Sequence, residues 1–394
     1  MNKKNIMFVV PTLIGGGAEK TVANLSNYLI EYYNIYIVVI NDTSKKYSFS
    51  GNLIVLGNNY NGKNKFKKIF SKLEQIKHLK KLKKQYNIKC SISFLFQADF
   101  LNVFSKCKEK VFISVRNKDS MIIKGKIFKF INKLNLRRAD KVIVVAKKAG
   151  DDSIENFGTN PKKIVTIYNP CLTIDFSDNN TIDSDLFVNG CTIINVGRLN
   201  KQKGQWHLIR AFSKIVKLMP DARLLILGDG DLRDYLQKLI NDYNLSKNIK
   251  LIGFVNNPYD YMRRADIFAF SSLFEGIANS VLEAISLGLP VVSTDCDSGP
   301  REILSPKTDY NLKVNDSIEY AEYGILVPTG DDIYYNVEDK LTIDENLLAD
   351  AILKLLNNKD LRIKYKEKSI IRSKYFDIDN IIKEWVKIIN EQIK

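Results

Sequence analysis

IMFVVPTLIGGGAEKTVANL, residues 6–25, runs from an apolar stretch through one proline and three glycines into a segment with apolar residues at helical spacing. Short Val/Ile-rich runs without polar alternation read as strands buried on both faces, the pattern of a parallel sheet covered by helices. Gly15, Gly16 and Gly17 mark a tight strand-to-helix turn, with the helix opening near Ala18. The same order recurs at TIINVGRLNKQKGQWHLIRAF, residues 192–212. Between and after these two stretches, IYIVVI (35–40), CSISFLF (90–96), KVFISV (110–115) and DKVIVVA (140–146) continue the first set of strands. RLLILG (223–228), IKLIGF (249–254), DIFAFS (266–271), LPVVST (289–294) and GILVP (324–328) continue the second. Strands alternating with helices in two sets predict an α/β protein of two doubly wound, Rossmann-like domains, whose strand ends face a central cleft.

A chain of 394 residues exceeds what one hydrophobic core ordinarily supports, in agreement with that division. CLTIDFSDNNTIDSDLFVNG, residues 171–190, is polar, Asn/Asp-rich and aperiodic, and reads as the linker. The expected boundaries are 1–170, 171–190 and 191–374, with a final helix over 375–394 that packs back on the first domain. The apolar fraction of 45% and charged fraction of 26% describe a globular chain. Five scattered cysteines and two histidines speak against a disulfide framework, a zinc site and a histidine metal centre, and suit a reducing cytoplasm. GDGD (228–231), DSD (183–185) and DCD (295–297) read as turn and loop chemistry, so no metal is expected. MNKKNIMFVVPTL lacks a small-residue cleavage pattern and reads as a first strand, and no window approaches the ~20 apolar residues of a membrane span.

Charge is divided unevenly: residues 1–170 hold 32 Lys+Arg against 11 Asp+Glu, while residues 171–394 hold 28 against 33. A basic first domain implies a polyanionic partner, either an anionic lipid surface or nucleic acid. In residues 61–89, Phe66, Ile69, Phe70, Leu73, Ile76, Leu79 and Leu82 recur at helical spacing among lysines. A second basic stretch, Arg116 to Lys148, includes Phe128, Phe130 and Ile131. The apolar stripe fits either core packing or a helix lying on anionic lipid. Neither stretch carries a base-stacking aromatic array, so nucleic acid is not the expected partner.

The chemistry concentrates in three places. Gly16 and Gly17 let the backbone approach a ligand beside the positive end of a helix, where a phosphate is stabilised, although a plain glycine turn would look the same. Arg198 and Lys203 set a fork-shaped and a point-like cation at a second helix start, which suits a diphosphate. LFEGIANSVLEA, residues 273–284, places Glu275 and Glu283 eight positions apart around Gly276, with Ile277, Ala278 and Asn279 leading into a helix from about Ala278 or Asn279. The backbone N–H groups between the two acids can meet phosphate oxygens.

GGGAEK, VGRLNKQKG, GFVNNP, FEGIANSVLEA, GLPVV and SGPREIL together resemble the family-4 retaining glycosyltransferases of the GT-B fold, over nearly the whole chain. The two glutamates fit that family's E-x-x-x-x-x-x-x-E motif. The resemblance implies that Glu275 bonds the donor sugar and Glu283 the ribose hydroxyls, and that Arg198 and Lys203 stabilise the departing diphosphate without a metal or cofactor. It further implies that Gly16 and Gly17 line the phosphates and that backbone around Phe254 and Val255 meets the base. Many members carry a histidine at the end of a first-domain strand; here Arg116 and Asn117 stand there, which leaves that loop's part in catalysis open. Residues 305–321 look like an insertion of the kind found in members that build bacterial surface polysaccharides. The expected partners are a nucleotide-sugar donor, a UDP-sugar, and a lipid-linked glycan at the anionic inner surface of the cytoplasmic membrane, with a soluble acceptor as the alternative.

Overall fold

The computed structural model describes residues 3–14, 16–41, 47–57, 62, 64–171, 182–188 and 191–393, with Lys65 as backbone. Contacts divide the chain into two compact units: Met1–Asn169 with Asp379–Lys394, and Pro170–Ile378. Most of the expected linker, residues 172–181, 189 and 190, lies outside the described residues.

The first unit holds strands β1 (Asn5–Val10), β2 (Asn34–Val39), β3 (Asn52–Val55), β4 (Cys90–Phe94), β5 (Lys110–Val115), β6 (Lys141–Val144) and β7 (Ile164–Thr166). Their order is β3-β2-β1-β4-β5-β6-β7 and every pairing is parallel. Helices α1 (Gly17–Leu29), α2 (Lys65–Gln85), α3 (Phe96–Phe104), α4 (Asp119–Ile122), α5 (Lys126–Arg138) and α6 (Lys147–Phe157) make the crossovers. Ile6 to Val10 are all fully buried, as a strand covered on both faces must be. Met7, Val9 and Val38 pack with Leu79 and Leu82 of α2 and with Ala98 and Leu101 of α3. Strand order reverses between β1 and β4, the topological switch point beside which ligands bind in such sheets.

The second unit repeats the plan with β8 (Thr192–Val196), β9 (Arg223–Leu227), β10 (Ile249–Gly253), β11 (Ile267–Phe270), β12 (Val291–Thr294), β13 (Glu319–Tyr320) and β14 (Ile325–Val327), in the order β10-β9-β8-β11-β12-β14-β13. Its helices are α7 (Gln205–Leu218), α8 (Arg233–Asp242), α9 (Tyr259–Met262), α10 (Asn279–Ser286), α11 (Pro300–Leu304), α12 (Ile343–Leu356) and α13 (Lys359–Ser373). Only β13, which lies in the stretch 305–321, runs antiparallel within this sheet among the described residues. The switch point falls between β8 and β11.

Helix α14 (Ile378–Gln392) returns to the first unit. It buries Ile381, Trp385 and Ile389, the Tyr33 hydroxyl donates to Asn390 Oδ1 at 2.9 Å, and Lys4 Nζ donates to the Ile393 carbonyl at 2.8 Å. The basic helix α2 is pinned by one charge taken inside: Lys83 Nζ lies 2.8 Å from Glu109 Oε1 and donates to the carbonyl and the Oδ1 of Asn102. Burial pushes the Lys83 ammonium down to about 8, against the pull of Glu109. Removing one partner strands the other charge in the interior. Glu109→Leu should therefore destabilise the protein by about 3–5 kcal/mol in urea unfolding; a loss under ~1 kcal/mol, the size of an exposed pair, would show that Lys83 finds water or another partner.

Candidate functional site

In the second unit the chain leaves β8 at Val196, passes the exposed Arg198 and makes a turn over Lys201–Lys203 before α7. Gly204 closes that turn at φ +58°, and a Cβ there would stand 2.4 Å from the Ser271 carbonyl oxygen, so the position requires glycine. This close approach lays the turn along the segment that follows β11. Leu273 N–H donates to the Gln202 carbonyl at 2.8 Å, and Ser271 Oγ donates to the Lys203 carbonyl at 3.0 Å. The result brings Lys203 Nζ to 2.6 Å from Glu275 Oε1 and Gln202 Nε2 to 3.2 Å from Oε2. Glu275 is only 7% exposed, so both carboxylate oxygens are compensated where water is scarce.

A second loop clamps the backbone around Glu275. Phe274 bridges to Asp297, Glu275 N–H donates to the Asp297 carbonyl at 3.2 Å, and Ser298 Oγ donates to the Gly276 carbonyl at 2.7 Å. Ser298 holds φ +73°, a left-handed conformation that a non-glycine residue adopts at a cost and that gathers at working sites. Below it Arg301 grips the buried Asp295 at 2.6 Å and reaches Glu319 of β13 at 2.8 Å. Helix α10 starts at Asn279 with Ala278 as its N-cap, and Ile277 and Ala278 are buried against Gly299. Glu283 sits in the second turn of α10, half-buried, where Tyr259 Oη donates to its Oε1 at 3.1 Å. Phe254, 73% exposed, and Val255 follow β10.

Sequence reasoning paired Glu275 with Glu283 and missed Gln202, Ser298 and Tyr259. Gln202 lies inside the Arg198–Lys203 loop and could have been weighed there; Ser298 opens SGPREIL, a stretch that carries the resemblance without singling this residue out. His207 is buried, with Nδ1 2.8 Å from Glu345 Oε1 and Nε2 2.8 Å from the Asp331 carbonyl, which ties α7 to α12 and the loop before it. Among the described residues no cluster of His, Cys, Asp or Glu has the arrangement of a metal site.

In the first unit Gly15 lies outside the described residues, Gly16 is the N-cap of α1 and Gly17 its first residue. A Cβ on Gly16 would fall 2.1 Å from Glu19 Oε2, so a carboxylate of the chain itself already lies at the positive end of this helix. Arg116 and Asn117 follow β5 and line a cavity of about 890 Å³ with Lys68, Lys72, Phe96 and Asp99. The Arg116 guanidinium donates to Thr21 Oγ1 at 2.9 Å and to Asn169 Oδ1. Burial pushes it down to about 9, which leaves it cationic at neutral pH. Beside this cavity the apolar stripe of α2 splits: Leu79 and Leu82 are core, while Phe66, Ile69, Phe70 and Leu73 are exposed, Phe66 at 85%. Ile127, Phe128 and Phe130 of α5 are exposed as well.

Residues 178–327 match the family described as glycosyl transferases group 1. An uncharacterized glycosyltransferase of Methanocaldococcus jannaschii is 44% identical over 215 residues, 53% of this chain and 52% of that protein, so the chain spans about half the length of that relative. The N-acetylgalactosamine-N,N'-diacetylbacillosaminyl-diphospho-undecaprenol 4-alpha-N-acetylgalactosaminyltransferase of Campylobacter jejuni is 28% identical over 386 residues, 96% of this chain and 97% of that one. Anabaena HepE in complex with UDP superposes with a TM-score of 0.76 at 17% identity, covering 98% of this chain and 100% of HepE.

Asp119, on the cavity wall, carries the clearest pH signature. Burial pushes its carboxyl from 3.8 up to about 6, partly offset by the Asn132 side chain, which donates to Oδ2 at 2.9 Å. A folded-state pKa above the unfolded one means that the proton favours the folded state, so this contribution is complete below 3.8 and is lost as pH rises through about 6. Asp119→Asn should accordingly gain urea stability relative to the natural protein as pH rises across that window, then hold the gain. Parallel profiles for the two proteins would show an ordinary carboxyl.

Proposed function

We propose that this chain, which carries a group 1 glycosyltransferase domain in the GT-B fold, transfers one hexose or N-acetylhexosamine from a nucleoside-diphosphate sugar to a lipid-linked glycan of cell-surface polysaccharide. The observation that carries the reading is the contact of Lys203 with Glu275, at 2.6 Å, between the start of α7 and the end of β11. Loss of a nucleoside diphosphate builds negative charge on the leaving group, and cations preorganised at that point stabilise the transition state more than the ground state. Lys203 and Arg198 take that role, which leaves none that requires a metal. Glu275, oriented by Lys203 and Gln202, accepts hydrogen bonds from hydroxyls of the donor sugar. Glu283 accepts from the ribose hydroxyls beside the Tyr259 hydroxyl, backbone N–H groups at Ile277 to Asn279 meet phosphate oxygens, and backbone near Phe254 and Val255 meets the base. We assign transfer with retention at the anomeric carbon and a UDP-linked donor.

The acceptor class follows two supports. The Campylobacter relative, by its name, acts on a diphospho-undecaprenol-linked glycan, and it aligns along almost the full chain. The first unit adds an apolar surface: Phe66, Ile69, Phe70 and Leu73 present one exposed face of α2, with Lys67, Lys68 and Lys72 interspersed. Exposed aromatic and aliphatic side chains beside lysines suit the cytoplasmic face of an anionic bilayer better than nucleic acid, which would not solvate them. Among the described residues no helix is long and apolar enough to cross a membrane, so the contact proposed is peripheral. Arg116 and Asn117 are placed toward the acceptor.

Glu275→Ala and Lys203→Ala should each lower sugar transfer, followed by release of the nucleoside diphosphate, by at least about 100-fold with an unchanged circular dichroism spectrum. Near-natural activity in either variant would remove the assigned roles. In sedimentation with vesicles, the protein should bind anionic bilayers and lose that binding in Phe66→Ser/Phe70→Ser. Equal binding of the natural protein to neutral and anionic vesicles would remove the electrostatic part.

A further inference from the structure

The cavity of the first unit has more apolar wall, and more uncompensated charge, than its own side chains use. Leu95 enters α3 at φ +74°, a strained value for a leucine, and this turn sets Phe96 and Phe100 along the cavity wall. Phe128 and Ile131 of α5 also line it, with Phe128 contacting Phe96 edge to face at 6.0 Å. Phe128 is also half in solvent, near in sequence to the exposed Ile127 and Phe130, so this ring belongs both to the cavity wall and to the outside of α5.

Polar groups on the wall are arranged for a ligand with a charged end. Lys68 and Lys72 are one helical turn apart on α2, like charges on one face, and neither pairs with a carboxylate among the described residues; Lys72 Nζ donates to Gln75 Oε1 at 2.9 Å. Lys124 and Arg116 add two further cations, neither paired with a carboxylate among the described residues, while Asp119 on the same wall accepts from Asn132. Deeper in, Asp99 is 5% exposed and its Oδ1 has no hydrogen-bond partner among the described residues. Burial holds that carboxyl well above the ordinary range, a shift toward its uncharged form. A chamber of about 890 Å³ falls within the usual ~300–1,000 Å³ of ligand pockets.

We propose that this cavity takes the hydrocarbon chain next to the head group of a lipid phosphate or diphosphate, with the head group held at the mouth by Lys68, Lys72 and Arg116. Phe96, Phe100 and Phe128 cover the chain, and the exposed apolar side chains of α5 are the route by which it leaves the bilayer. A sugar or a nucleotide would leave most of that wall without a partner, and a neutral lipid would leave the cations without one. The inference rests on the reading that the acceptor is lipid-linked.

Calorimetric titration of the whole chain with farnesyl diphosphate, kept below its micelle-forming concentration, against inorganic diphosphate, farnesol and oleate tests it. Farnesyl diphosphate should bind at least about tenfold more tightly than either half-molecule, because chain and head group add. Phe128→Ser, at a half-exposed position that the fold tolerates, should remove most of the advantage over inorganic diphosphate. Lys68→Ala/Lys72→Ala should remove most of the advantage over farnesol. Equal affinities for farnesyl diphosphate and inorganic diphosphate would overturn the chain site, and oleate binding as tightly would reveal an unselective fatty-acid pocket and overturn the head-group assignment. Transfer to a lipid-linked glycan, assayed with the same proteins, separates the two levels. Undiminished transfer by Phe128→Ser sinks the cavity and keeps the proposed reaction; binding as expected without transfer to any lipid-linked glycan keeps the cavity and sinks the acceptor class.

Discussion

A carboxylate held almost wholly away from water must be met by charge and hydrogen bonds, or it gives up its charge. Glu275 is in that position, and the second unit is arranged around meeting it. Lys203 and Gln202 reach its two oxygens only because Gly204 lets the turn before α7 approach the Ser271 carbonyl. The backbone of Glu275 is held from the other side by Asp297 and Ser298, and that loop is braced in turn by Arg301 through Asp295. Stretches far apart in the chain, after β8, after β11 and after β12, thus converge on one acid. The parallel sheet makes this convergence possible, since it sends three consecutive strand ends out of the same edge.

The doubly wound plan was legible because parallel strands buried on both faces leave unbroken Val/Ile runs, as in IMFVV and KVIVV. β3, β7 and β13 were not legible for the converse reason. They are two to four residues long, near or at the sheet edges, and only partly buried, so no apolar run announces them. At the site, spacing gave Glu275 and the start of α10 at Asn279, because a motif and a helix start are local. What fixes the two glutamates in place was hidden because it depends on tertiary placement: a left-handed Ser298 on the Gly276 carbonyl, a glycine permitting close approach, a tyrosine from α9 on Glu283. The glycine turn before α1 reads by sequence either as a phosphate cradle or as a plain turn, and the structure adds a neighbour to it: the Glu19 carboxylate lies against Gly16.

Helix α2 shows why periodicity alone left two readings open. Its apolar residues form one stripe in sequence, but the sheet is covered only by the second half, where Leu79 and Leu82 meet Met7 and Val38. The first half runs on past that cover, so Phe66, Ile69, Phe70 and Leu73 keep the same spacing with no core beneath them. One pattern therefore serves two environments, and where the sheet stops decides which residue belongs to which.

The return of α14 to the first unit makes that unit discontinuous in the chain. Tyr33 cannot find Asn390, nor Lys4 the Ile393 carbonyl, until the whole of the second unit has been synthesised. During translation the first-made segment therefore waits for these partners, while the later unit can already close around its own core. The order of completion is the reverse of the order of synthesis, and an interrupted chain would strand the basic half unfinished.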